Sequence, residues 1–173
     1  CIKPKYPELI ERYNIPLDEY PRRCINQIEN WKKDREKYLH DDVTHTRTTE
    51  YASYIMEAIV TDIPYKIGGN VINNGLIPNL PAEACVEVAC LVNKNGIQPC
   101  AQKPLPLQLA AMNSAMIGVQ LLTIEAAVTQ KKETIYQAAM LDPHTSSELS
   151  IDEIIRLCDD LIEAHGSYLP KYH

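Results

Sequence analysis

The side chains able to do chemistry in this sequence are scattered along it rather than gathered. His40, Asp41, Asp42 and His45 place two imidazoles and two carboxylates within six residues, a donor set suited to a divalent cation. They lie in a polar connector between two apolar-periodic segments, where a charged run reads as a solvated helix end. Asp142-Pro143-His144-Thr145 sets a carboxylate near an imidazole, yet the proline after Asp142 reads as a helix stop with a local turn. Arg47 stands among Thr44, Thr46, Thr48 and Thr49 at the entry of a predicted helix. Its planar fork suits an anion or sugar hydroxyls. A cation there gains nothing from the helix dipole, so ligand contact and plain surface both stay open.

Asn70, Asn73, Asn74 and Asn79 fall within one segment, residues 70–81, framed by Gly75, Pro78 and Pro81. Amides donate and accept, which suits carbohydrate hydroxyls, and they equally suit tight turns. Glu87 sits in an apolar run beside Cys85, Val86 and Val88, so its carboxylate must be partnered, exposed on one face, or raised in pKa. The sequence contains no Gly-rich dinucleotide or phosphate loop, no His-Glu-x-x-His and no Gly-x-Ser-x-Gly. From the residues alone there is no complete nucleotide site, metal site or nucleophile–base pair. The six cysteines include no Cys-x-x-Cys pair, which argues against a zinc knuckle; at this length, with no secretion signal, reduced thiols are expected, with Cys85 and Cys90 as small hydrophobes.

Helical spacing of Tyr20, Cys24, Ile28, Trp31 and Leu39 predicts an amphipathic helix from Asp18 to His40. A second helix is predicted from about Thr48 to Val60, with Tyr51, Ile55, Ala58 and Ile59 on one face. Residues 66–75 read as a strand ending in an Asn-Gly turn. Cys85 to Val92 reads as a largely buried strand, and a turn at residues 93–96 returns it as a partner strand from Ile97 to Gln102. After Pro104-Leu105-Pro106, Leu107 to Val128 reads as one long buried helix, with a kink near Gly118. Lys132 to Met140 forms another. Ser150 and Glu153 have the spacing of a capping box, opening a helix that stops at Gly166. The predicted class is α+β, mostly helical with a small antiparallel sheet.

With 17 basic against 23 acidic residues, a net charge of −6, the balance argues against a phosphate-backbone binder. Its 45% hydrophobic content supports a core, which must be aliphatic because there is no Phe and one Trp among 173 residues. No run of roughly 20 uninterrupted apolar residues argues for a bilayer span. The absence of a signal segment, with reduced thiols, leads to a cytoplasmic expectation. The chain begins at Cys1 and reads as a piece cut from something longer.

The stretches Leu9-Ile10-Glu11-Arg12-Tyr13, Pro16-Leu17-Asp18-Glu19-Tyr20-Pro21, Arg47 with Glu50-Tyr51-Ala52-Ser53, and Gly69-Asn70-Val71 with Asn73 and Gly75-Leu76-Ile77 carry a family likeness. It continues through Asn79-Leu80-Pro81, Val86-Glu87-Val88, Asn95-Gly96-Ile97-Gln98-Pro99, the segment from Ala138 to Thr145, and Ala164-His165-Gly166. In these the chain resembles the C-terminal part of glycoside hydrolase family 4, closest to its α-galactosidase branch. That resemblance implies the C-terminal domain of a lactate/malate dehydrogenase-like glycosidase, spanning residues 1–173 and serving substrate binding and oligomerisation. The family is an NAD-dependent exception to two-carboxylate glycoside hydrolysis, and the resemblance implies oxidation, elimination and addition with NAD and Mn²⁺ on an α-galactoside. The dinucleotide-binding half, the metal ligands and the catalytic residues are expected outside this segment, so no catalytic, cofactor or metal residue is assigned within it and the segment alone is expected to be inactive. Arg47, Asn70, Asn73, Asn74 and Glu87 are the expected sugar contacts. Other expectations are a homo-oligomer, no nucleic acid or membrane partner, and an apolar Leu107–Val128 surface that a neighbouring domain or subunit covers. α-Glucosides, galacturonides or 6-phospho-glycosides as substrates, and a freestanding interaction domain, are the alternatives.

Overall fold

The computed structural model describes residues 7–41 and 46–173, and the chain divides into two compact units, residues 1–49 and 50–173. Asp42, Thr44 and His45 lie outside the described residues, so the predicted His/Asp cluster is described only at His40 and Asp41.

The first unit holds a short helix α1 (Pro7–Arg12) and a long helix α2 (Glu19–His40). The α2 helix starts one residue from the predicted boundary, because neighbours along its surface favour helix. Arg23 pairs with Glu19, Lys32 with Glu29 at 2.9 Å, and Arg22 Nη2 donates to the Leu17 carbonyl at 2.9 Å. Neither helix buries a residue, and the stripe Tyr20, Ile28, Trp31 and Leu39 is exposed within this unit.

The second unit begins with α3 (Ala52–Thr61), which starts four residues later than its Thr48 expectation. Then come β1 (Tyr65–Ile72), β2 (Cys85–Asn93) and β3 (Gly96–Pro99), an antiparallel sheet in the order β1-β2-β3. β1 pairs with β2 from Tyr65 opposite Val92 to Ile72 opposite Cys85. The β3 strand stops at Pro99, short of the predicted Gln102: after one further bond to β2, from the Cys100 N–H to Ala89, the Gln102 N–H turns to Leu76 instead. At the hairpin, Asn93 Oδ1 accepts from the Asn95 N–H at 2.9 Å, and Gly96 takes φ 92°, a left-handed conformation that glycine adopts at little cost. Asp62, at the end of α3, accepts from the Lys94 N–H at 3.3 Å and pairs with Lys94 Nζ at 2.8 Å, which pins the hairpin tip.

The core lies on one face of this sheet. Ile67 of β1 and Val86, Val88, Cys90 and Val92 of β2 bury together with Ala58 of α3, Ile77 and Ala84 of the β1–β2 loop, and Ile117 of a fourth helix, α4 (Leu107–Thr129). Strict alternation along β2 differs from the predicted largely buried strand: Cys85, Glu87, Ala89 and Leu91 are exposed. An antiparallel pair with one covered face must alternate, whatever its side chains. Cys85 is therefore exposed, whereas Cys90 is fully buried. The five described cysteines are free.

After α4 come α5 (Lys132–Leu141), α6 (Pro143–Glu148), α7 (Ile151–His165) and a single 3₁₀ turn at Gly166–Tyr168. The predicted long buried helix exists as α4, but only Ala110, Ile117 and Ala126 are buried along it. Leu107, Met112, Ile124 and Val128 are exposed. By length and composition alone α4 would also suit a membrane crossing, a test that packing helices of soluble proteins pass as well. The Asp142-Pro143 stop is also a start: Asp142 caps α6 by accepting from the Thr145 N–H at 2.7 Å, with Pro143 in the first turn. The Ser150–Glu153 box forms as predicted, the Glu153 carboxylate accepting from the Ser150 N–H at 2.8 Å and its hydroxyl at 2.7 Å. Helices α5 and α7 are joined at Asp159, which accepts from Tyr136 Oη at 2.6 Å and pairs with Lys132 Nζ at 2.7 Å.

Candidate functional site

The outer face of the sheet carries Lys66, Gly68 and Asn70 from β1 and Glu87 and Ala89 from β2. Period-two alternation puts them there, because their neighbours Ile67, Val86 and Val88 are taken by the core. Asn70 stands directly opposite Glu87 and Gly68 directly opposite Ala89. The Glu87 carboxylate leans along the sheet, so close to Gly68 that a Cβ there would meet Glu87 Oε1 at 2.8 Å. The adjacent Gly69 faces inward, where a Cβ would meet Cys90 Sγ at 2.8 Å. Glu87 thus satisfies its predicted constraint by exposure.

The loop between β1 and β2 is organised by Asn73. Its backbone N–H donates to Ala84 at 2.8 Å, and its side chain is fully buried. Asn73 Oδ1 accepts from the Ile77 N–H at 2.7 Å, and Nδ2 lies 3.0 Å from each of the carbonyls of Ile77, Leu80 and Pro81. Both polar atoms of that amide are engaged within the loop, as burial requires. Asn74 is exposed at φ 41°, and its N–H donates to Ala82 at 2.9 Å. Asn tolerates that left-handed conformation better than most residues.

A second segment closes the site. Residues 100–105 run back along the sheet, with the Cys100 N–H donating to Ala89 at 2.9 Å and the Gln102 N–H to Leu76 at 2.7 Å. Asn79 fastens its end, donating from Nδ2 to the Leu105 carbonyl at 2.8 Å and accepting the Leu105 N–H at 2.9 Å. Between this segment and the sheet lies an open concavity of about 850 Å³, lined by the polar side chains of Lys66, Glu87, Gln102 and Lys103 and also by Ile67, Ile77, Val88 and Leu105. Among the described residues, the side chains of Lys66, Glu87 and Lys103 have no hydrogen-bond or ion-pair partner.

The structure therefore brings Asn70 and Glu87 together, places Asn74 in the adjoining loop, and uses Asn73 to hold that loop. Arg47 belongs to the first unit, in an exposed non-helical stretch. Sequence reasoning missed Lys66, Gln102 and Lys103. Lys66 was legible, since it keeps the two-residue period of Gly68 and Asn70; the lining by Gln102 and Lys103 depends on long-range closure.

Among the described residues no group of three or more His, Cys, Asp or Glu side chains converges as a metal site. His40 Nε2 lies 3.7 Å from Glu36 on an exposed helix face. Asp142 is held below the usual carboxylate range by the Thr145 N–H it caps, which marks a structural anion. Gly68 and Gly69 lie inside a strand and not at a helix start, so they do not form a dinucleotide loop.

Against known families, residues 1–145 match the family described as "Family 4 glycosyl hydrolase C-terminal domain". The chain is 58% identical over 172 residues to an alpha-galactosidase of Bacillus subtilis (strain 168), covering 99% of this chain and 40% of that relative. A solved 6-phospho-alpha-glucosidase from gut microorganisms, in complex with NAD and glucose-6-phosphate, superposes with a TM-score of 0.61 at 27% identity over 69% of this chain and 26% of that one. A 6-phospho-beta glucosidase of Thermotoga maritima, solved with manganese, NAD+ and glucose-6-phosphate, shares the fold with a TM-score of 0.71 at 23% identity, over 87% of this chain and 37% of that one. The chain spans about two fifths of the length of its Bacillus relative.

Proposed function

This chain belongs to family 4 of the glycosyl hydrolases and carries its C-terminal domain, and from that premise we propose that it supplies the sugar-binding part of an enzyme that hydrolyses α-galactosides. The observation that carries the reading is the 58% identity to an alpha-galactosidase, sustained over 99% of the chain. In this reading NAD and a divalent metal ion are held by the remainder of a full-length family member. Oxidation, elimination and addition, the route the family resemblance implies, is part of the proposal.

The outer sheet face performs recognition. Glu87 accepts hydrogen bonds from sugar hydroxyls, and Asn70 beside it donates and accepts. Asn74 contributes from the loop edge, while Asn73 acts by holding the loop in place. Arg47 is proposed on chemical grounds as a further contact for hydroxyls or an anion. The enzyme works in the cytoplasm, as a homo-oligomer in which the apolar face of α4 is covered.

The reading is tested by assaying a full-length family member containing this segment on p-nitrophenyl α-galactoside, α-glucoside, α-galacturonide and 6-phospho-α-glucoside, with NAD⁺ and Mn²⁺ present. A kcat/KM at least tenfold higher on the α-galactoside is expected. Preference for any of the other three overturns the assignment of substrate, and failure to cleave all four favours a non-catalytic interaction domain.

A further inference from the structure

Helix α7 ends at Gly166, whose φ of 51° and ψ of −120° turn the backbone out of the helix in a conformation that residues with a Cβ rarely adopt. After the 3₁₀ turn, residues 169–173 run back to the α4–α5 corner as a strap. Gln130, at φ 58°, breaks the helical path at that corner. There the His173 N–H donates to the Gln130 carbonyl at 2.9 Å, and the Lys132 N–H donates to the His173 carbonyl at 2.8 Å. Along the strap, Leu169 and Tyr172 are half-buried while Pro170, Lys171 and His173 are exposed. Leu169 and Tyr172 line an apolar hollow of about 430 Å³ together with Ala126 of α4, Ala138 of α5, and Cys158 and Ile162 of α7. Among the described residues, no side chain of residues 167–173 makes a hydrogen bond or ion pair. The strap is held by one two-bond backbone bridge and two apolar side chains.

We propose that residues 169–173 are a lid: hinged at Gly166, the strap lifts off the hollow between α4, α5 and α7 as a unit while the three helices stay folded, and its opening controls access to the Cys158 thiol. One bridge and two half-buried side chains give way far more readily than the helix ladders beneath them, which puts the strap at the low-stability end of local opening. The helices keep their own tie when it lifts, because Lys132 Nζ and Tyr136 Oη stay on Asp159 at 2.7 and 2.6 Å. Closure is favoured by the apolar surface of Leu169 and Tyr172, which water regains when the strap opens. Polar side chains of the hollow are engaged locally, Thr123 Oγ1 on the Val119 carbonyl at 2.8 Å and Asp142 on the Thr145 N–H at 2.7 Å, so its walls are alkyl in character. Burial, followed by the nearby Asp159 charge, pushes the Cys158 thiol above its usual range and keeps it unreactive while the lid is shut. The lid is independent of which glycoside the enzyme cleaves.

The test uses a full-length family member containing this segment, as wild type and as Leu169→Ser/Tyr172→Ser, His173→Pro and His173→Ala. Each is treated with N-ethylmaleimide at one fixed pH, and modification of Cys158 is timed by peptide mass spectrometry. Cys90, fully buried in the sheet core, reports global unfolding in the same samples. In wild type, Cys158 is expected to react at least about tenfold faster than Cys90, because the strap opens without the fold opening. The double serine variant is expected to speed Cys158 labelling a further tenfold or so through lost apolar closure. His173→Pro, which removes one N–H of the bridge, is expected to speed it about fivefold. His173→Ala keeps both backbone bonds and is expected to stay within about twofold of wild type. Cys158 labelling within about twofold of wild type in His173→Pro overturns the lid, and that variant decides the matter if the double serine variant misfolds. Equal labelling of Cys158 and Cys90 in wild type, or joint acceleration of both in the strap variants, overturns it as well, since the strap would then open only with the whole fold.

Discussion

Asn79 and Leu105, 26 residues apart in sequence, exchange two hydrogen bonds as strand partners do: the Asn79 amide donates to the Leu105 carbonyl at 2.8 Å and accepts its N–H at 2.9 Å. The side chain replaces a missing backbone rung and joins the β1–β2 loop to the segment that walls the concavity. Replacing Asn79 with Ala is expected to cost about 1 kcal/mol, the net worth of an exposed bond pair. Hydrogen exchange at the Leu105 N–H should accelerate well above the change seen at the β2 amides. Equal acceleration at both would show that the clamp is not local.

Asn73 is the costlier loss. Asn73→Leu leaves the buried N–H of Ile77 without its 2.7 Å acceptor and frees the three carbonyls gathered on Nδ2. Stranding such groups costs roughly 1–3 kcal/mol each where water cannot reach them, so a fall of at least about 2 kcal/mol in unfolding free energy by urea titration is expected. A fall below about 0.5 kcal/mol would mean that the loop is held by something else.

The sequence displayed the helices well and the sheet only in outline. Helix α2 and the capped start of α7 are written in local spacing, Tyr20 to Leu39 for one and Ser150 to Glu153 for the other. The hairpin is announced by Asn95-Gly96. Cys85 to Val92 was a different matter: an apolar run shows which residues favour a strand but not which face the fold leaves open, and both faces here carry apolar side chains. The role of Asn73 and the closure by Lys103 were illegible for a related reason. Both depend on which backbone returns to meet them, and four asparagines close together look alike until the loop is shut.

The Lys132–Asp159–Tyr136 cluster gives stability a pH window. Lys132 and Tyr136 hydrogen-bond to the Asp159 carboxylate and hold it below the usual range, so its contribution is complete above about pH 4 and lost as pH falls through the lowered value. Bonding to Asp159 and to Tyr136 lifts Lys132, and desolvation ahead of the Asp159 bond lifts Tyr136, so their contributions are complete below about pH 10 and decline above it. Thermal unfolding from pH 2 to 11 should show a plateau whose acid limb is shallower in Asp159→Asn. An unchanged acid limb would remove Asp159 from the account.

Helix α4 leaves Leu107, Met112, Ile124 and Val128 exposed on the second unit. An apolar face of this extent is expected to bind a hydrophobic dye in the isolated 173-residue chain, and a full-length family member should bind much less. A compact monomer that binds no dye would show that the face needs no cover.

Ile154 of α7, 2% exposed, is among the largest fully buried side chains of the described residues. Ile154→Ala is expected to lower stability by about 2–5 kcal/mol through lost burial and a residual cavity, read by chemical denaturation. A loss under about 1 kcal/mol would show that α7 repacks freely.

The central claim is that this polypeptide shapes the sugar cavity while the redox chemistry resides in the rest of the enzyme. Titrating NAD⁺ into the isolated 173-residue chain, with α-galactoside cleavage followed in the same samples, tests it most directly. No saturable NAD⁺ binding and no cleavage are expected from the chain, against NAD⁺-dependent cleavage by a full-length family member. Stoichiometric NAD⁺ binding or measurable turnover by the chain alone would contradict the claim.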